Sequence, residues 1–514
     1  MSSAAPQIAA EATTERAPLR FVTAASLFDG HDAAINIMRR LIQAQGAAVI
    51  HLGHNRSVED VVRAALQEDA DAIALSSYQG GHVEYFKYMV DMLKERGAGH
   101  IRVFGGGGGT ITPEEIRELE AYGVERIYHP NDGMHLGLVA MIEDVVARAA
   151  RHRESGIGNR EWSKQGMGKG ESGIVGAVSI DDEISVGRML SAIENGAFSE
   201  AELARLRKEW SAGPDHSPFP IPHSQIPTTP VVGITGTGGA GKSSVVDELL
   251  LRFLHAFPEM RIAVLAVDPT RRRSGGALLG DRIRMNSLRN HRVFMRSMAT
   301  RRQHVATNAM LKDCVAFLKG QAYDLVIVET AGIGQSDSEI VDLVDFPMYV
   351  MTSDYGAASQ LEKIDMLDFA ELVVLNKFDK RGAEDALRDV RKQWKRNRVA
   401  FQTKDEDIPV YPTIASQFND PGVSWMFVNL CRLLREKKKK GGQSHFSPDA
   451  STRTDVVAGK SDSDPLSSPR CDFDPQLDTT LKEPRATVLI PGSRVRYLAE
   501  IAEQGRGING AIER

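Results

Sequence analysis

The string GTGGAGKS, Gly236 to Ser243, most restricts what this chain can fold into. It follows an apolar run, Val231 to Ile234, and opens a helix-like stretch, Ser244 to His255. Glycines at this spacing let backbone N–H groups and a helix N-terminus converge on phosphate oxygens, which requires the order strand, loop, helix. Gly236, Gly239, Ala240 and Gly241 form the cradle, Lys242 adds a point charge, Ser243 can reach Mg²⁺, and Ser244 starts the helix. Such a loop implies an α/β domain with a parallel sheet.

A second string selects the nucleotide. Asn376, Lys377, Phe378 and Asp379 end the apolar run Leu372 to Leu375. The Asp379 carboxylate can accept from the N1–H and exocyclic amine of guanine, a donor pair that adenine lacks. Asn376 is placed to donate to the purine edge and to tether the glycine loop, and Lys377 to lie along the base. The expected ligands are GTP and GDP. Glu329 and Thr330 end another strand, Asp324–Val328, and Asp268 ends Ile262–Val267. Acids at strand ends, with Asp281 further on, suit a Mg²⁺ shell of oxygens and water. Arg284 is a candidate for phosphate charge, Ser416 for closing over guanine, and Gln335 for positioning water in a γ-phosphate-sensing loop. Catalysis is assigned to Lys242, Glu329 and Gln335.

The chain has 514 residues, 42% hydrophobic and 25% charged, which fits two to four ordinary globular domains. A net charge of −5 gives no reason to expect a nucleic-acid or anionic-membrane partner. Lys437 to Lys440 read as a solvated helix end. Cys314, Cys431 and Cys471 have no metal-ligand spacing, which suggests reduced thiols and a cytoplasmic setting. No apolar run reaches the ~18 residues of a membrane span.

Residues 1–18 read as a disordered tail. Residues 19–150 alternate five apolar runs with helical stretches (Arg20–Leu27, Ala48–Gly53, Ala72–Ser77, Ile101–Gly105, Val124–Tyr128), which predicts a flavodoxin-like parallel sheet. Residues 151–230 read as a helical and Pro-rich linker, with helices at Ile184–Ile193 and Ala201–Trp210. Residues 231–436 form the nucleotide domain, 437–485 a flexible linker, and 486–514 the start of a further domain.

In a doubly wound sheet, ligands sit beyond the carboxyl ends of the strands. Asp29 and His31 follow the first strand, Ser76 and Ser77 the third, and five glycines, Gly105 to Gly109, the fourth. The glycine run is read as free of packing duties and open to a bulky flat ligand. A lone His31 is more often an ordinary loop residue; convergence of the three loops favours a metal ligand, with Asp29 bonded to its other ring nitrogen.

These residues resemble the cobalamin-binding domain of acyl-CoA mutases and methionine synthase. In that family an Asp-x-His-x-x-Gly string supplies the lower axial ligand of cobalt; here Asp29 and His31 match, and Ala34 replaces the glycine. The family's Ser-x-Leu string corresponds to Ser76, Ser77 and Tyr78, and its Gly-Gly string to Gly105 and Gly106. Residues 231–436 are similar to the GTPase chaperones of methylmalonyl-CoA mutase. That resemblance implies Mg²⁺ contacts from Ser243, Asp268, Asp281, Glu329 and Thr330, a phosphate contact from Arg284, and a switch segment, Asp354 to Lys363, communicating with the cobalamin module. The two modules in this order resemble the fused isobutyryl-CoA mutases. The resemblance implies adenosylcobalamin as cofactor, a homo-oligomer, and an acyl-CoA mutase barrel supplied outside this chain, which alone is not expected to isomerise an acyl-CoA. The expected function is GTP hydrolysis that gates cofactor loading. A corrinoid carrier or sensor coupled to a GTPase timer is the alternative, and a receiver-like domain without corrinoid a further one.

Overall fold

The computed structural model describes residues 17–30, 33–154, 181–211, 229–270, 276–300, 304–330, 337–356, 358–441 and 472–484. The first sheet is built from β1 (Arg20–Ala25), β2 (Ala48–His51), β3 (Ala72–Ser76), β4 (Arg102–Gly106) and β5 (Arg126–Tyr128). All pair in parallel, in the order β5-β4-β3-β1-β2, as the alternation of apolar runs and helices predicts. The intervening helices are α1 (Ala33–Ala44), α2 (Val58–Gln67), α3 (His82–Glu95), α4 (Pro113–Tyr122), α5 (Pro130–Leu136) and α6 (Leu138–Glu154). Local chemistry fixes their starts. Ser57 Oγ accepts from the Asp60 N–H to cap α2, and Thr112 with Glu115 forms a capping box ahead of Pro113 on α4.

Helices α7 (Glu183–Glu194) and α8 (Glu200–Ser211) follow. The sequence reading placed them in a linker, but they pack as part of a core. Val186, Leu190, Ile193 and Leu206 are buried in the same cluster as strands of the second sheet, and Trp210 meets Phe317 edge-on at 5.6 Å.

The second module runs β6 (Val231–Gly236), α9 (Lys242–Ala256), β7 (Ile262–Pro269), β8 (Ala277–Leu279), β9 (Val293–Thr300), α10 (His304–Gly320), β10 (Leu325–Thr330), β11 (Phe346–Met351), α11 (Ala358–Leu361), α12 (Met366–Phe369), β12 (Leu372–Asn376), α13 (Ala383–Asn397), β13 (Val410–Thr413) and α14 (Pro421–Gly441). Its seven-stranded sheet has the order β13-β12-β11-β6-β10-β7-β9, parallel throughout. Apolar clusters cover both of its faces. Strand β8 is absent from that sheet. It pairs with β2 in the first module, Ala48 with Ala277 and Ile50 with Leu279, as a sixth strand that the sequence reading did not foresee. Beyond α14, part of the stretch expected to be a flexible linker is held in place: Phe473 is 1% exposed, with its ring 6.0 Å from Phe257, and Arg435 pairs with Asp474 at 2.6 Å.

The modules also share a buried ion network. Glu68, just after α2, accepts from Arg20 Nη2 at 2.7 Å and from Arg282 Nε at 2.8 Å. Its backbone carbonyl accepts from Arg296 Nη1 at 2.6 Å. Glu194, at the end of α7, accepts from Arg296 Nη2 at 2.8 Å and from Arg20 Nη1 at 3.3 Å. Burial alone would push the Glu68 carboxyl up, but the guanidiniums of Arg282, Arg20 and Arg296 hold it below the usual carboxylate range.

Docking of β8 demands a close backbone approach. A Cβ on Gly276 would lie 2.2 Å from the Gln43 carbonyl oxygen and 2.8 Å from that of Ala47, neither of which is a side chain that can swing away. Gly276→Ala is therefore expected to destabilise the protein by about 1–3 kcal/mol, read as a lowered chemical-denaturation midpoint. An unchanged midpoint would remove the close approach of β8 to the first sheet.

Candidate functional site: a nucleotide cradle and a cobalamin edge

The glycine loop has the backbone that its sequence requires. Gly236 has φ 146°, and a Cβ there would meet the Val350 carbonyl oxygen at 1.9 Å. Gly241 has φ 92° at the start of α9, and a Cβ there would meet Asn376 Nδ2 at 2.5 Å. Gly239 and Ala240 lie between them. Lys242 Nζ bends back over the loop to the carbonyls of Gly236 and Thr237, at 3.1 and 3.3 Å. Ser244 sits half-buried on the first turn of α9.

The guanine string meets the loop as expected. Asn376 Nδ2 donates to the Ala240 carbonyl at 2.8 Å, while its Oδ1 accepts from Thr413 Oγ1 and the Ala415 N–H. Lys377, at φ 57°, donates through Nζ to the Gly239 carbonyl at 2.7 Å. Phe378 is partly buried against the core, and Asp379 and Ser416 are exposed. One buried asparagine thus ties the phosphate loop, the base-reading strand end and the β13 loop together.

Near Lys242 lies a cluster of acids from two strand ends, Asp268 of β7 and Glu329 of β10, and from the turn after β8, Asp281. Ser243 Oγ donates to Glu329 Oε1 at 2.8 Å and lies 3.4 Å from Asp281 Oδ1. Burial, then the charge of Asp281 and a hydrogen bond to it, push the Asp268 carboxyl up to about 8. Burial and Asp281 likewise push Glu329 up to about 8, with Ser243 and Lys242 pulling the other way. Glu329 Oε2 and Thr330 Oγ1 are buried without a hydrogen-bond partner. Such an orphaned carboxylate oxygen beside a serine hydroxyl fits a Mg²⁺ ion. Mg²⁺ keeps several waters and phosphate oxygens in its shell and needs only a few protein oxygens; among the described residues no group of three or more His, Cys, Asp or Glu is arranged to hold a metal ion.

Arg284 ends the Asp281–Arg284 turn exposed to solvent; the buried guanidinium of that turn belongs to Arg282 and is held by Glu68. The sequence reading passed over Arg282 because an Arg-x-Arg string does not show which side chain faces inward. Around Asp354–Lys363, Asp354 pairs with Lys380 at 2.8 Å and α11 packs on α13. Gln335 lies outside the described residues, as does His31.

At the carboxyl edge of the first sheet, a cavity of about 260 Å³ opens between α1, β3, β4 and α6, its wall including Ile35, Met38, Ser76, Gly106, Tyr128 and Met141. Ser76, Gly105 and Gly106 reach this wall as expected, and Ser76 Oγ is buried without a hydrogen-bond partner. Ser77 does not reach it; its hydroxyl accepts from Ser26 Oγ at 2.9 Å. Asp29 is buried, and its Oδ2 accepts from the Tyr78 N–H at 2.8 Å, which pins the β1 loop to the β3 loop beside position 31. The glycine run is not free of packing duties. A Cβ on Gly105 would meet Phe86 at 2.4 Å, and one on Gly107 the Ser77 carbonyl at 2.0 Å, whereas Gly106 has only the Tyr128 carbonyl, at 3.5 Å. A mainly apolar slot with one unsatisfied hydroxyl and an open glycine fits the buried tail of a corrinoid.

The two parallel sheets are those of a B12-binding domain joined to a P-loop GTPase-like domain. Residues 19–134 match the B12 binding domain family, and residues 223–445 match the family described as Methylmalonyl Co-A mutase-associated GTPase MeaB. The chain is homologous over nearly all of its length to the fused isobutyryl-CoA mutases. It is 48% identical to that of Cupriavidus metallidurans over 96% of this chain and 40% of the relative, and 46% identical to that of Geobacillus kaustophilus over 96% and 41%. It thus spans about two-fifths of the length of these relatives. A putative GTPase of Pyrococcus horikoshii is 39% identical over 30% of this chain and 48% of its own. Among the described residues no helix is long and apolar enough to cross a membrane.

The raised carboxyls set a pH dependence. In the folded protein Asp268 and Glu329 keep protons up to about pH 8, where unfolded acids have released theirs. The unfolded state therefore binds fewer protons, and stability from this pair falls as pH rises from about 4 to about 8. Asp268→Asn should flatten that fall in the metal-free protein and remove the extra Tm that Mg²⁺ adds to GDP. Equal slopes in a Tm-against-pH series would contradict the shared-charge account.

Proposed function

We propose that the chain is the GTP-hydrolysing chaperone and adenosylcobalamin-binding portion of an acyl-CoA mutase, with isobutyryl-CoA and n-butyryl-CoA as the substrate class, and that GTP turnover gates loading and protection of the cofactor. The observation that carries this reading is the short segment Ala277–Arg282. Its first residues are a strand of the cobalamin sheet, its Asp281 lies at the Mg²⁺ cluster, and its Arg282 is held by Glu68.

In this reading Lys242 neutralises the β- and γ-phosphates, and Ser243, Asp268, Asp281 and Glu329 with Thr330 hold the metal directly or through water. Asp379 reads guanine, and Asn376 keeps the base and phosphate subsites in register. Glu329 and Gln335 orient the attacking water. When bound, adenosylcobalamin supplies a weak Co–C bond as the source of radicals. The chain's own part would be to hold it: His31 would supply a nitrogen ligand to cobalt, Asp29 would fix the loop that carries His31, and Ser76, Gly105 and Gly106 would line the slot for its nucleotide tail. The acyl-CoA is held by a mutase barrel supplied by the remainder of such a protein or by another chain.

Lys242→Ala should lower GTP turnover at least about 100-fold while leaving cobalamin affinity within about twofold of the parent. Normal turnover in that variant would overturn the phosphate assignment. Adding cobalamin to His31→Ala should give a visible spectrum unlike that of the parent complex; identical spectra would remove His31 as ligand.

A further inference from the structure

We infer that Glu68, a carboxylate of the cobalamin module, is a positioning residue for Mg²⁺ at the nucleotide site, acting through Arg282 on Asp281. This rests on the reading of the nucleotide site given above.

Asp281 is the acid of its cluster that no strand of the GTPase sheet carries. Ser243 Oγ is 2.8 Å from Glu329 but 3.4 Å from Asp281, whose other partner in the cluster is the Asp268 carboxyl. Asp281 begins a 3₁₀ turn, Asp281–Arg284. The turn is anchored on two sides. Upstream, β8 is paired with β2 of the cobalamin sheet. Next along the chain, Arg282 is 5% exposed and donates from Nε to Glu68 Oε1 at 2.8 Å, and from Nη2 to Gln67 Oε1 at 2.9 Å and to the Met295 carbonyl at 2.6 Å. Two of these three acceptors belong to the end of α2 in the other module.

The asymmetry of the network decides which part moves. Arg20 lies on β1 and Arg296 on β9, so both are fixed by sheet hydrogen bonds, whereas Arg282 is on a short turn. Without the Glu68 charge, Arg20 and Arg296 keep Glu194, whereas Arg282 loses its carboxylate and faces two buried guanidiniums, and the turn is the element that yields. Neighbouring Cα atoms are about 3.8 Å apart and fixed by the peptide bond, so displacement of Arg282 displaces Asp281. Mg²⁺ demands near-ideal octahedral geometry at about 2.0–2.1 Å and tolerates such a shift poorly. The base and phosphate contacts of Asp379 and Lys242 lie on other elements and are unaffected.

The test uses the full chain and a fluorescent GDP analogue. In Glu68→Gln and Arg282→Met, the Mg²⁺ concentration for half-maximal enhancement of binding should rise at least about tenfold. GDP affinity in EDTA should stay within about twofold of the parent, and Arg282→Lys, which keeps the charge but not the fork that serves three acceptors, should recover only part of the loss. An unchanged Mg²⁺ midpoint in a folded variant would overturn the inference. Should the variants fail to fold, hydrogen exchange on the parent protein decides. Mg²⁺ added to the GDP complex should slow exchange at Ala48–His51 and Val58–Asp69; no Mg²⁺-dependent change there, with the glycine loop protected, would overturn it equally. A parent protein that binds no GDP in a Mg²⁺-dependent way would instead sink the nucleotide-site reading itself.

Discussion

The structure depends on one buried carboxylate. Glu68 is fully enclosed and engages guanidiniums from β1 and from the turn before β9, and its carbonyl takes a third from β9 itself. Burying so many charges is costly, and a well-packed apolar core of the same volume is often as stable or more so. Breaking such a network by removing one member is another matter, since it leaves buried charge uncompensated, at a cost of about 3–5 kcal/mol. The arrangement therefore fixes the relative position of two sheets more than it adds to stability. Glu194 extends the same constraint to α7, whose Gly187 approaches α2 so closely that a Cβ would lie 2.8 Å from the Leu66 carbonyl.

Rigid docking of the modules gives the shared strand its meaning. Strand β8 leaves the GTPase module between β7 and β9 to extend the cobalamin sheet, and then returns as the turn that carries Asp281. The acids gathered there oppose one another, as the raised Asp268 and Glu329 carboxyls record. On the proposed assignment a divalent cation would replace the protons those carboxyls hold, so the metal-bearing nucleotide would have a differential free energy with the segment that ends in the first sheet. Such a difference is what any ligand-driven shift between conformations requires.

Much of this was legible in the sequence, for local reasons. The glycine loop and the Asn376–Asp379 string announce themselves because backbone conformation and base chemistry demand those residues at those places, and the apolar runs mark the strands because parallel sheets are covered on both faces. Asn376 as the tie to the glycine loop was readable in the same way. What stayed hidden was non-local. The three residues Ala277–Leu279 are too short for a periodic signal, and nothing in them says which sheet they join. Helices α7 and α8 were visible as helices, but the proline-rich stretch after them suggested a linker rather than a core. The glycine run illustrates the limit most clearly: Gly105 and Gly107 are small because Phe86 and the Ser77 carbonyl crowd them, and only the folded chain shows that Gly106 and Gly109 are the open ones.

The central claim is that nucleotide state and cobalamin binding are coupled through this junction. The most direct measurement is a calorimetric titration of the full chain with adenosylcobalamin in the nucleotide-free state, with Mg²⁺ and GDP, and with Mg²⁺ and a non-hydrolysable GTP analogue. The account predicts that cobalamin affinity differs between nucleotide states by about fivefold or more. Identical cobalamin affinities in all three states, with the nucleotides shown to be bound, would contradict it.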